Sequence, residues 1–311
     1  MGNSFHNVSY FDAAIKEENK MNSFLYCHEI SMHNLLLAYL DFSVYKQVMC
    51  KVYPELTELI TNYNGKAIEL IQQIKERVYG IRAVLLLTRI PNIIVNNNKA
   101  REMLIKEIKG TSLENMLTVT KLFLPISVEQ AKISNNSLLV DIGDIKIGIF
   151  GLPDNKMKST DVIIKAVVIL NEIYRIKSKC LLAGYDVDHY IENSPEINKN
   201  YLLWFSNISN EHLFSLMEQV DIAVQLRNNP HGESSAVICE LLALNKPIIT
   251  SENFIDDELG KYCIIVKRFI SAEELAKKLY ELLMKKQSDN YSTQLCKDFS
   301  FERLSKSIIN L

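Results

Sequence analysis

The chain reads as an α/β protein whose parallel sheet is covered by helices on both faces, and three observations predict this. Short apolar runs alternate with helical patterns through the second half, which is the signature of βαβ units. Residues 146–170 and 222–252 each read as strand, polar loop with a turn glycine, then helix. The length of 311 residues with 48% hydrophobic and 23% charged residues is ordinary for a globular chain with room for two domains.

The elements follow in chain order. FLYCHEISMHNLLLAYL, residues 24 to 40, is an apolar run followed by the polar cluster His28, Glu29 and His33 and a helical pattern. TELITNYNGKAIELIQQIKERVYGIRAVLLL is helical by period. NIIVNNNKAREMLIKEI (92 to 108) reads as a strand running into a helix with polar capping residues between. LFLPISV (122 to 128) is a further apolar run. The polar stretch EQAKISNNS (129 to 137) is the expected linker, with a domain boundary near residue 140. KIGIFGLPDNKMKSTDVIIKAVVIL opens the second half as strand, loop and amphipathic helix. SKCLLAG, YLLWFSN, DIAVQLR, KPIIT and YCIIV are the strands expected after it, separated by patterns such as NEHLFSLMEQV and SAEELAKKLYELLMKK. In such sheets ligands bind at the carboxyl ends of strands, beyond Leu152, Asn207 and Arg227. Trp204 is expected in the core.

The segment IAVQLRNNPHGESSAVICELLALNKPIITSE (222 to 252) carries the chemistry. The opening turn of a helix offers unpaired N–H groups and the positive end of the macrodipole, so it suits a phosphate. Gly232, Glu233, Ser234 and Ser235 occupy that opening. Glycine takes backbone angles closed to other residues, and the serines cap the helix or donate to a phosphate. Glu240 lies five residues beyond Ser235, roughly 7.5 Å along a helix, about the span from a diphosphate to its ribose. A carboxylate there accepts both ribose hydroxyls. On these residues alone the simpler reading is a capped core helix with Glu240 turned to solvent.

With its loop HGESS and Glu240, the segment resembles the C-terminal nucleotide-sugar-binding domain of retaining glycosyltransferases of GT-B family 4, in the branch with a GE(T/S)S loop in place of E-x7-E. Six residues separate Glu233 from Glu240, and Gly232 stands where the first glutamate of E-x7-E would fall. Lys158 before Asp161 resembles the family's KGxD-like pattern, with Ser159 for glycine and Lys156 as the alternative register. Residues 1 to 6, MGNSFH, resemble a GNxxFH segment, and the stretch from Phe24 resembles its strand, HD and downstream histidine, with Glu29 for aspartate. NIIVNNNKAR resembles VIVHSxxAR, with Asn96 and Asn97 for His and Ser.

The resemblance implies a GT-B-like fold, two Rossmann-like domains facing a cleft. They would span residues 1–138, an acceptor-side domain that reads as incomplete, and 139–311, the donor domain, whose last helix would pack back on the first. It implies transfer of a sugar from a nucleotide-diphosphate sugar, with attack on the face the leaving group departs from. Lys158, Ser234, Ser235 and Arg227 would hold the diphosphate, Arg227 because Leu152 stands near the family's usual arginine. Glu240 would hold the ribose, with the base near Phe205 to Ile208. His28 and Glu233 would serve catalysis by orienting sugar and acceptor, and Asn3 and His6 would lie on the acceptor side. No cofactor and no metal are implied, since fixed dipoles and a lysine stabilise the departing diphosphate. The acceptor would be a saccharide, a lipid-linked saccharide or a protein.

Composition bounds the alternatives. The 35 basic and 37 acidic residues are nearly balanced, which argues against a bulk nucleic-acid binder. Six cysteines at 27, 50, 180, 239, 263 and 296 show no CxxC or metal spacing and read as reduced thiols of a cytoplasmic protein. No signal peptide or spanning stretch is evident, and the resemblance admits peripheral contact with the inner face of a membrane. His28 by itself also fits a satisfied core histidine, and His28 with His33 a metal pair, although two histidines without a further ligand set are weak evidence for metal. The rival reading is a non-catalytic nucleotide-sugar-binding subunit or decayed paralogue, with a partner chain completing the first domain. A weaker rival is a sugar-nucleotide epimerase of similar fold.

Overall fold

The computed structural model describes residues 7–75, 77–121, 144–228, 230–252, 254–255, 257–285 and 292–309. They form two compact units, the first holding the elements up to residue 121 together with His231–Ser234, the second the residues from 144 to Pro230 and from Ser235 onward. The expected linker and boundary near 140 lie outside the described residues, as do LFLPISV, Asn3 and His6.

The first unit is built on three parallel strands, β1 (Phe24–Cys27), β2 (Asn92–Val95) and β3 (Thr118–Lys121), side by side in that order. Helix α1 (Val8–Lys16) precedes β1. Between β1 and β2 run α2 (His33–Tyr39), α3 (Phe42–Val52), α4 (Thr57–Thr61), α5 (Ala67–Ile74) and α6 (Ile81–Thr88), and α7 (Asn98–Ile108) joins β2 to β3. The helical expectation for residues 57–87 is met by α4, α5 and α6. Each buries one apolar stripe, such as Leu70, Ile71 and Ile74 of α5. The core gathers Phe11, Leu25, Leu36, Met49, Ile93 and Leu104. Strand β3 precedes the apolar run that marked this region in the sequence, because its pattern TVTK is too polar to stand out.

The second unit is a six-stranded, wholly parallel sheet. Its strands are β4 (Ile145–Phe150), β5 (Ser178–Gly184), β6 (Leu202–Ser206), β7 (Ile222–Gln225), β8 (Ile248–Ser251) and β9 (Ile264–Val266), in the order β6-β5-β4-β7-β8-β9. Its helices are α8 (Asn155–Lys158), α9 (Thr160–Glu172), α10 (Val187–Glu192), α11 (Asn210–Gln219), α12 (Ala236–Ala243), α13 (Asp257–Gly260), α14 (Ala272–Leu283), α15 (Ser292–Asp298) and α16 (Phe301–Ile309). Every residue of β7 and β8 is buried, as expected of central parallel strands covered on both faces. The chain winds outward from β4 through β5 to β6, then restarts at β7 on the other side of β4. Such a reversal opens a crevice at the carboxyl ends of the two strands flanking it, here β4 and β7.

Trp204 corrects one expectation. It sits on edge strand β6, 38% exposed, with its indole N–H donating to Asp188 Oδ1 at 3.1 Å. An edge strand has one uncovered side, which apolar content alone does not reveal. Among the described residues no helix is long and apolar enough to cross a membrane. All six cysteines are free; Cys27, Cys180 and Cys239 are buried and the rest half-buried.

Candidate functional site

The loop leaving β4 begins at Gly151 and turns through the single helical turn α8. Asp154 opens that turn by accepting from the Met157 N–H, as a helix-capping carboxylate does. Ser159 closes it at φ 51° and directs the chain into α9. Gly184 makes room for this loop: a Cβ there would stand 2.2 Å from the Gly151 carbonyl oxygen, so only glycine lets the loop lie on the end of β5. Lys158 folds back over the loop, and its Nζ donates to the Leu152 carbonyl at 2.7 Å.

The loop leaving β7 carries Arg227 and Asn228. The Arg227 N–H donates to Ser251 Oγ at 2.9 Å, and its guanidinium lies 5.8 Å from the centre of the Phe254 ring. Asn228 is 5% exposed and reaches across to the other loop. Its N–H donates to Met157 O at 2.7 Å and its Nδ2 to Lys156 O at 2.7 Å, while Ser159 Oγ donates to its Oδ1 at 3.1 Å. Lys158 therefore stands on a turn held at both its neighbours.

Helix α12 begins where this loop ends. Ser235 caps it, accepting from the Ile238 N–H at 3.3 Å. Glu240 lies in its second turn among buried Ile238, Cys239, Leu241 and Leu242. Burial pushes its carboxyl up to about 7, and no hydrogen bond or ion pair meets it among the described residues. Half-buried carboxylates are ordinarily satisfied. At the end of β6, Asn207 (φ 54°) donates its N–H to Gly184 O at 2.8 Å and shapes the segment expected near the base.

The first unit holds the rest. Its segment His231–Ser234 is tied down by three hydrogen bonds: Ile30 N–H to His231 O at 2.9 Å, and Asn97 Nδ2 to Gly232 O at 3.0 Å and to Ser234 Oγ at 2.8 Å. The same Asn97 caps α7 by accepting from Ala100 N–H at 2.7 Å. Gly232 has φ 83°, and a Cβ on it would come within 2.9 Å of Ala100, so glycine is required here twice over. Glu233, 6% exposed, accepts from the His231 N–H.

His28 is exposed at the end of β1. The Tyr26 hydroxyl donates to Asn96 Oδ1, and Asn96 Nδ2 donates to His28 Nδ1 at 3.3 Å. An amide N–H only donates, so Nδ1 is the acceptor and the neutral ring carries its proton on Nε2. His33, by contrast, is buried: Tyr45 Oη and Val78 O lie 2.9 and 2.8 Å from its two nitrogens, and burial lowers its pKa to about 4. The core histidine is therefore His33 and not His28, which is exposed, and both ring nitrogens of His33 are occupied by protein groups. Among the described residues no group of three or more His, Cys, Asp and Glu is placed to hold a metal.

Thus Lys158, Arg227, Ser235 and Glu240 belong to the second unit, and His28, Glu233 and Ser234 to the first. Asn228 was not singled out from the sequence, and Ser159 and Asn96 were read only as replacements within the resembled patterns, without their structural roles. Their signal was faint, since polar residues after a strand are what any loop contains.

No family model matches this chain, and no curated protein matches it. Solved structures do. HepE from Anabaena in complex with UDP and glucose aligns with a TM-score of 0.60 at 12% identity, over 97% of this chain and 79% of that one. The trehalose-6-phosphate synthase OtsA gives 0.60 at 12% identity, over 76% of this chain and 63% of that one. Sucrose-phosphate synthase from Thermosynechococcus elongatus gives 0.54 at 11% identity, over 97% and 75%. Identities this low carry the fold alone, and that fold is the GT-B-like α/β architecture.

Proposed function

We propose that the chain is a metal-independent retaining glycosyltransferase of the family-4 kind, moving a sugar from a nucleotide-diphosphate sugar to a saccharide, lipid-linked or protein acceptor. The observation that carries this reading is the pairing of a sheet reversal between β4 and β7 with Lys158 and Arg227 on the two loops that leave those strands. Both cations suit a diphosphate at the crevice, and the N-terminus of α12 adds unpaired N–H groups. Glu240, half-buried with no protein partner among the described residues, suits the ribose hydroxyls.

In the transfer, the bond from the sugar's anomeric carbon to the diphosphate breaks and the acceptor oxygen bonds to that carbon from the same face. The acceptor's proton passes to the departing phosphate oxygen, the nearest base on that face. Lys158 and Arg227 stabilise the charge that accumulates on the diphosphate. His28, with its proton on Nε2, donates a hydrogen bond to the sugar or acceptor, and Glu233 accepts one. That HepE was crystallised with UDP and glucose supports a nucleotide-sugar donor of this type.

Calorimetric titration of UDP, GDP and ADP into the purified chain with chelator present, beside Glu240→Ala, tests the reading. Saturable binding of one nucleotide, weakened about tenfold or more by the substitution, is expected. No binding of any of the three would overturn it.

A further inference from the structure

Asn228 lies just beyond Arg227, and its side chain is bonded to the β4 loop. Its three hydrogen bonds fall on consecutive parts of one short turn. The carbonyls of Lys156 and Met157 are among the last of α8, which the helix itself cannot satisfy. Asn228 meets both, one with its backbone N–H and one with its side-chain amide. Its remaining acceptor takes the Ser159 hydroxyl at 3.1 Å, and Ser159 is the left-handed residue that ends the turn (φ 51°). Lys158 lies between the tied residues, and its Nζ is already drawn to Leu152 O at 2.7 Å.

The geometry points to Asn228, with Ser159, as the positioning pair that presents the Lys158 ammonium to the donor diphosphate. A lysine carries several rotatable bonds, and ordering it costs side-chain entropy. A backbone already fixed on both sides of it leaves only the side chain to order when an anion arrives. A one-turn helix has little stability of its own. Without Asn228 the turn frays, and the ammonium is spread over a volume wider than a phosphate. The tie also links the two strands that flank the sheet reversal, so the β4 and β7 loops hold one spacing across the crevice.

This inference rests on the donor-site reading above, and the test separates the two. UDP and uridine are titrated into wild-type protein, Asn228→Ala and Ser159→Gly, the glycine keeping the left-handed angle while removing the hydroxyl. A positioning role predicts a UDP dissociation constant raised about tenfold by Asn228→Ala and about threefold by Ser159→Gly, with uridine binding unchanged in both. Equal weakening of UDP and uridine, or no change in either, overturns the inference while wild-type UDP binding upholds the site. Failure of wild-type protein to bind UDP, GDP or ADP overturns both. Should Asn228→Ala not fold, as judged by circular dichroism, Ser159→Gly decides on the same criterion.

Discussion

Asn97 holds Ser234. Its Nδ2 donates to the serine Oγ at 2.8 Å and to Gly232 O at 3.0 Å, while its Oδ1 caps α7 through Ala100 N–H. With 2% exposure, it has both amide N–H groups and its carbonyl oxygen engaged. One side chain both starts a helix and binds residues 135 and 137 positions away in sequence.

Asn97→Ala is therefore expected to lower stability by about 2–4 kcal/mol, from a lost cap and two lost bonds in a buried place. Asn97→Asp keeps the cap but turns a carboxylate oxygen toward the Gly232 carbonyl, so it is expected to be no better than alanine. Urea unfolding followed by circular dichroism measures both. An aspartate variant as stable as wild type would show that the bonds to Gly232 and Ser234 contribute nothing.

Gly232→Ala meets two costs at once, a positive φ of 83° and a Cβ within 2.9 Å of Ala100. A loss of about 2–4 kcal/mol is expected. Shrinking the neighbour as well, in Gly232→Ala with Ala100→Gly, relieves the clash but not the backbone angle. The double variant should then recover part of what the single one loses, beyond the cost of a glycine in α7.

His33 titrates well below its ordinary range. Burial lowers its pKa to about 4 from a reference of 6.5, so between those values the unfolded chain holds the proton that the folded one refuses. Stability from this group is complete above pH 6.5 and is lost as pH falls toward 4, by about 3 kcal/mol in all. His33→Gln should flatten that part of the profile. Denaturation midpoints of both proteins between pH 4 and 7 check this, and parallel profiles would refute it.

Glu240 has the opposite sign. Its folded pKa is raised to about 7 from 4.5, so the folded state binds the extra proton between those values. Stability falls as pH rises through that window, and the full penalty stands above pH 7. Glu240→Gln should accordingly be more stable than wild type at pH 8, by about 1–2 kcal/mol after allowance for partial exposure. The same variant should bind nucleotide more weakly, and wild-type affinity should itself decline from pH 8 to pH 6 as the carboxylate takes up its proton. Melting and titration at pH 8 together read out this opposition, and a variant that neither gains stability nor loses affinity would remove Glu240 from the site.

Lys158→Ala leaves the fold nearly untouched, because the side-chain bond to Leu152 O is exposed. It is expected to weaken UDP binding about tenfold or more while uridine binding persists. Equal loss for both ligands would place the lysine away from the diphosphate.

The α/β class, the strands of the second unit and the glycine at 232 were all legible from local sequence, because each expresses a local cause. Parallel strands buried on both faces are opened by apolar runs, as IAV of β7 and II of β8 are, and a left-handed turn beside a helix selects glycine. Strand β3 was not legible, since TVTK lacks that apolar run. Nor was the exposure of Trp204, since whether a strand is an edge depends on which neighbours pair with it. The order of the sheet, and with it the adjacency of β4 and β7, comes from pairings between residues some 75 apart, such as Ile147 with Ile222. For the same reason only the tertiary structure distinguished His28 from His33. Both follow the same apolar run, but one ends a strand in solvent and the other lies where Tyr45 and Val78 converge from distant parts of the chain. Periodicity and composition record what each segment needs to be buried against, and the closing of loops tens of residues long decides which distant partner supplies it.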